Sequence, residues 1–124
     1  MSTVNLTLDD FESTIRDNSI VLVDFWASWC GPCRAFAPVF ERSSQSHADI
    51  VHAKVDTQAE AELSTIVGIQ SIPTVMAFRD GVLVYSRPGA MPPSVLEDLI
   101  HQVKELDMAQ VRDKIAARKA AATG

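Results

Sequence analysis

The sequence predicts an α/β fold: a mixed β-sheet flanked by helices, with a C-terminal helical extension. Three observations point to it. Short apolar runs rich in β-branched residues alternate with helical periodicity early in the chain, the order of parallel strands joined by crossover helices. Asp80-Gly81 between two later strand candidates marks a hairpin, which adds antiparallel strands at one edge. The chain has 124 residues, 47% of them apolar, enough for one domain with a single sizeable core.

Val4-Asn5-Leu6 is a short strand candidate. Thr7 can cap the next helix, with Asp10 three residues on as an imperfect capping box. Leu8, Phe11 and Ile15 recur at helical spacing and are expected to face the core. Asp17-Asn18-Ser19 reads as a turn. Residues 20–25 are nearly all apolar, as in a central strand buried on both faces. A helical pattern follows from residue 34 to about 46, with Phe36, Val39 and Phe40 as its apolar face. Pro38 removes one backbone donor there and should kink the helix rather than end it. Residues 50–55 form the next strand, and 58 to about 67 a short helix ended by Gly68. Residues 74–78 and 82–86 flank the hairpin turn. From Pro93, Val95, Leu96, Leu99, Ile100, Val103 and Leu106 make a long amphipathic helix. Asp107 can cap a further helix, 108 to about 121, with Val111 and Ile115 on one side and frayed last residues. The expected division is a domain over residues 1–106 and an extension over 107–124.

A net charge of −5 argues against a general nucleic-acid-binding role, which needs a basic face. No apolar stretch approaches the ~20 residues of a membrane span. Met1-Ser2-Thr3-Val4-Asn5-Leu6 lacks a basic region followed by an apolar core, so no signal peptide is expected and the expected location is the cytoplasm. In a reducing compartment a lone close pair of cysteines is catalytic or metal-binding rather than a structural staple. A bridge across so short a loop would also add little stability through chain entropy.

That pair is Cys30 and Cys33, the only cysteines, within Trp29-Cys30-Gly31-Pro32-Cys33 at a strand-to-helix junction. A helix starting there points free N–H groups and its positive dipole end at Cys30, favouring thiolate. Cys30 is therefore the expected nucleophile. Cys33, one turn further in, is placed to attack a mixed disulfide on Cys30. Gly31 and Pro32 form the tight turn between them, and Pro32 gives the thiolate neither N–H nor charge. The bland alternative is two buried inert thiols. Zinc fits poorly: a structural site needs four ligands, and His47, His52 and His101 lie in unrelated patterns as surface or packing residues.

Asp24 interrupts the apolar strand before Cys30. Desolvation there would raise its pKa, and near the thiols it could take the proton from Cys33. The alternatives are an acid at the strand's exposed end, or one satisfied by a hydrogen bond. Lys54 in the neighbouring strand could pair with Asp24 or snorkel outward.

The block from Val21 through Trp26, Ala27 and Ser28 to Arg34 resembles the active-site segment of the thioredoxin family. Further matches follow in order: Pro38, Lys54-Val55-Asp56, Val67-Gly68-Ile69, Ser71-Ile72-Pro73-Thr74, Phe78 with Gly81, and Gly89-Ala90. The resemblance spans roughly residues 4–106 and implies the thioredoxin fold, with a cis Ile72-Pro73 bond beside the cysteines. It implies that Trp29, Gly31, Pro32, Ile72, Pro73, Gly89 and Ala90 form an apolar client-docking surface, Ile72 through its backbone. It also implies that Asp24 and Lys54 are the buried acid and its lysine partner, and that Trp26 backs the active-site loop. The sequence departs from the family pattern at Ser28, at Arg34, where lysine is common, and at Ser71, where glycine is frequent.

The implied function is a general protein-disulfide reductase acting on disulfide-containing client proteins. It would hold no bound cofactor and no metal, and would be returned to the dithiol by an NADPH-dependent thioredoxin reductase. A monomer is expected. The alternatives are a dedicated redox partner with narrow clients, selected by the extension, or a non-redox scaffold module. The extension itself is either a solvated helical tail or a docking helix that uses Met108, Val111 and Ile115.

Overall fold

Strand β2 (Ile20–Trp26) lies at the centre of a five-stranded sheet in a computed structural model that describes residues 2–123. The other elements, in chain order, are β1 (Val4–Asn5), α1 (Leu8–Asp17), α2 (Gly31–Ser46), β3 (Val51–Asp56), α3 (Ala61–Ile66), β4 (Thr74–Arg79), β5 (Val82–Pro88), α4 (Pro93–Glu105) and α5 (Met108–Thr123). The strand order is β1-β3-β2-β4-β5. Strand β3 runs parallel to β1 and β2, while β4 is antiparallel to β2 and β5 to β4. This is the mixed sheet that early alternation followed by a hairpin predicts.

Ile20 to Phe25 are all buried, because β2 serves two cores. Leu22 joins Phe36 and Phe40 of α2 and Leu96 and Ile100 of α4 on one face. Val21, Val23 and Phe25 join Phe11 and Ile15 of α1 and Leu63 of α3 on the other. The alternation of side chains along a strand makes this division automatic.

Several local rules hold. The Thr7 amide donates to Asp10 Oδ1 at 2.6 Å, the reciprocal half of a capping box. Asp80 and Gly81 both take positive φ, 53° and 80°, as a tight hairpin requires. Helix α2 continues through Pro38. Other boundaries differ from the sequence reading. Helix α3 starts at Ala61 rather than 58, because Asp56 Oδ1 accepts from the amides of Gln58 (2.9 Å) and Ala59 (3.3 Å) and holds a turn there. Strand β5 runs on to Pro88, where an edge position tolerates the missing N–H. Leu8 and Val95 do not face the core: each sits in the first turn of its helix, and they are 37% and 46% exposed.

Asp107 caps α5, its Oδ1 accepting from the amides of Ala109 and Gln110 at 3.0 and 3.2 Å. The helix then runs to Thr123, past the expected end near residue 121; Met1 and Gly124 lie outside the described residues. Met108 is buried, Val111 and Ile115 are half-buried beside Leu83 and Val84 of β5, and Arg112 approaches Asp80 at 3.9 Å. The three apolar residues singled out as a possible docking stripe thus turn towards the chain's own sheet.

Candidate active site

Cys30 is the N-cap of α2, with extended backbone angles, and Pro32 occupies the first turn. Proline suits that position because its missing donor would be unpaired there anyway. The Cys33 amide donates to Cys30 Sγ at 3.2 Å. One of the unpaired donors of the helix N-terminus is therefore aimed at the sulfur. Cys30 and Cys33 form a disulfide with their Cα atoms 5.2 Å apart. Both are buried, Cys33 more than Cys30, at 2% and 5% exposure. Gly31 and Pro32 are exposed beside them. Arg34, one of the departures from the family pattern, reaches back to donate to the carbonyl of Ser28, another departure, at 3.1 Å.

Three separated segments meet around the pair. The Ile72-Pro73 bond is cis, and the Ile72 carbonyl oxygen lies 3.8 Å from Cys30 Sγ. The Gly89 amide donates to the Pro73 carbonyl at 2.7 Å, which ties the loop after β5 to the segment before β4. Gly89 has φ of 107°, a region that favours glycine. Ala90 follows it on the surface. Trp29, 64% exposed, shares a cleft with Ile72, Ser71 and Thr57. Thr57 had no place in the sequence reading. Its amide and its hydroxyl both donate to the Trp26 carbonyl, at 2.9 and 3.0 Å, and so fix the end of β2 just before the cysteine loop. Only the Asp-Thr step at the end of a strand hinted at such a turn.

Asp24 lies in mid-strand on the face that Leu22 shares, the face covered by α2. It is fully buried, and neither carboxyl oxygen has a hydrogen-bond partner among the described residues. Burial pushes its pKa up to about 7, against a smaller downward pull from Lys54. Both bland alternatives fail: the acid is neither at an exposed end nor satisfied. Lys54 stands directly opposite Asp24 in β3, half-buried. Its Nζ sits 4.8 Å over the Trp26 ring, and no ion pair within 4.0 Å joins it to Asp24 among the described residues. The lysine therefore acts on the acid through space while its head packs on an aromatic face. The buried Trp26 Nε1 also has no partner among the described residues.

The histidines stay apart from the site. His52 is buried and bonded to Ser43 and the Ile50 carbonyl, His47 pairs with Glu97 at 2.8 Å, and His101 is on the surface. Among the described residues no group of three or more His, Cys, Asp or Glu is placed to hold a metal ion. None of the described helices is long and apolar enough to cross a membrane.

The family model for thioredoxin matches residues 2–102. The chain belongs to the thioredoxin family. It is accordingly a dithiol/disulfide oxidoreductase, with Cys30–Cys33 as its redox-active pair and disulfide-containing proteins as its clients. Putative thioredoxin 2 of Streptomyces coelicolor is 49% identical over 121 residues, covering 98% of this chain and 90% of that one. Thioredoxin of Alicyclobacillus acidocaldarius is 42% identical over 97 residues, 77% of this chain and 92% of the relative. Among solved structures, Plasmodium falciparum thioredoxin superposes with a TM-score of 0.74 at 35% identity, covering 81% of this chain and 97% of that one. The family match stops short of α5, whereas the Streptomyces alignment takes in most of that helix.

Proposed function

We propose that Cys30 is the attacking thiol and Cys33 the resolving one in a general protein-disulfide reductase. The observation that carries this reading is the Cys33 amide directed at Cys30 Sγ from the start of α2. A backbone donor and a helix dipole at one sulfur favour its thiolate. That thiolate attacks one sulfur of a client disulfide, forming a mixed disulfide and expelling the other client sulfur as a thiolate. Cys33 then attacks Cys30 Sγ, which forms Cys30–Cys33 and releases the second client thiol. The attack requires Cys33 to lose its proton. Asp24 is the acceptor in this reading, since a buried carboxyl with a pKa near 7 exchanges protons readily at neutral pH. Lys54 tunes that acid electrostatically.

Clients dock on Trp29, Gly31, Pro32, Ile72, Pro73, Gly89 and Ala90, with the Ile72 backbone available to an extended segment. An NADPH-dependent thioredoxin reductase restores the dithiol, and no cofactor binds this chain. The working place is the cytoplasm, and the working form a monomer that binds neither membrane nor nucleic acid. The redox unit is residues 1–106, and residues 107–124 extend it outside the chemistry; the family match and every proposed site residue fall within the first part.

Insulin disulfide reduction coupled to NADPH oxidation by a thioredoxin reductase tests this. The unaltered chain should turn over, and Cys33→Ser should accumulate a Cys30–client adduct. An adduct on Cys33 in Cys30→Ser, together with none on Cys30 in Cys33→Ser, would reverse the assignment.

A further inference from the structure

Helix α5 and the edge strand β5 enclose a cleft of about 230 Å³ that no part of the redox chemistry uses. Its floor is apolar: Leu83 and Val84 from β5, Val111 and Ile115 from α5. Leu83 is 48% exposed there. Its rim is cationic, formed by Lys114 and Arg118 one helical turn apart. Like charges four residues apart on a helix repel. Yet among the described residues neither has an ion-pair or hydrogen-bond partner, in a chain with 16 acidic side chains against 11 basic ones. Arg112, on the same helix, does find an acid in Asp80. Among the described residues no carboxylate lines the cleft.

We infer that this cleft binds a small amphiphilic anion, a medium-chain fatty-acid carboxylate. The alkyl tail lies along Leu83, Val84, Val111 and Ile115, and the carboxylate meets Lys114 and Arg118. Charge complementarity selects the ligand: an anionic head relieves two cations on one cleft while the tail covers apolar surface otherwise left in water. The volume selects its length. The cleft is smaller than the usual 300–1,000 Å³ of a drug-sized pocket, so it takes one short chain and not a folded ligand.

Octanoate is the probe, titrated into the full chain and followed by methyl and amide NMR. Shifts should concentrate on Leu83, Val84, Val111 and Ile115. Acetate, which lacks the tail, and octyltrimethylammonium, which carries the opposite charge, should leave these signals unmoved at equal concentration. Lys114→Gln with Arg118→Gln should weaken octanoate binding about tenfold while thermal unfolding and insulin reduction stay unchanged. Leu83→Ser, which trims the floor, should weaken it as well. Equal binding of octanoate and octan-1-ol, or unchanged binding by the double variant, overturns the inference. So do octanoate shifts centred elsewhere on the molecule.

Discussion

His52 and Asp24 lie on the same face of adjacent strands, and both are cut off from water at 2% and 0% exposure. His52 is fully satisfied. Its Nδ1 faces the Ile50 carbonyl at 3.1 Å and must carry the proton, since a carbonyl only accepts. Its Nε2 then accepts from the Ser43 hydroxyl at 2.9 Å, and the ring packs on Phe40. Asp24 has none of this: among the described residues neither of its oxygens has a partner. A buried polar group without partners costs stability, so an ordinary core would not keep one. The histidine belongs to the architecture and is placed to lose nothing. The acid sits towards the cysteine end of the same strands and keeps a proton poised near neutral pH. On the proposed mechanism buried polarity means packing in one case and chemistry in the other, and the presence or absence of partners tells them apart.

The comparison is broken most severely at the cysteines. Cys33→Ser should abolish multiple turnover in the insulin assay without unfolding the sheet, because the serine fills nearly the same space. Asp24→Asn tests the acid itself and should act in opposite directions on stability and rate. The folded pKa of about 7 lies above the ordinary 3.8, so the folded state binds the proton more tightly than the unfolded chain. Stability is therefore fully present below about pH 4 and falls as pH rises to about 7. The loss amounts to at most about 4 kcal/mol by the 1.4 kcal/mol per pKa unit rule. Denaturation at pH 8 should show Asp24→Asn more stable by roughly 2–4 kcal/mol, the gap closing near pH 4. Its turnover at pH 7 should fall at least about tenfold.

The histidine end should respond in the reverse sense. Ser43→Ala leaves Nε2 buried without a partner and should cost about 1–3 kcal/mol in urea denaturation, with insulin reduction unchanged. Burial lowers the His52 pKa, so its contribution to stability is fully present above its ordinary value of 6.5 and is lost as pH falls from there to the lower folded value. The smallest effect is expected outside both pairs. Arg112→Ala removes an exposed 3.9 Å ion pair and should change stability by no more than about 0.5 kcal/mol.

Much of this was legible in the sequence. The apolar run of β2, the Asp80-Gly81 turn, the Thr7 and Asp107 caps and the Pro93 helix start are local signals, and each element they mark is present. What stayed hidden depends on contacts across the fold. Leu8 and Val95 fit the helical stripe by spacing yet lie at helix ends that the sheet does not cover. Thr57 gains its place only because β2 ends beside it. The sequence left Asp24 open between a satisfied acid and a functional one, since the partners of a buried carboxyl come from other strands. The same holds for Lys54, whose head rests on Trp26 rather than in a close pair.

The most direct test of the central claim is a carboxyl ¹³C NMR titration of Asp24 in the oxidised protein, with Asp24→Asn to assign the signal. The account predicts a midpoint near 7, about three units above an exposed aspartate. A midpoint near 4 would mean that the carboxyl is hydrated or paired, and would contradict the role given to Asp24 in resolving the mixed disulfide.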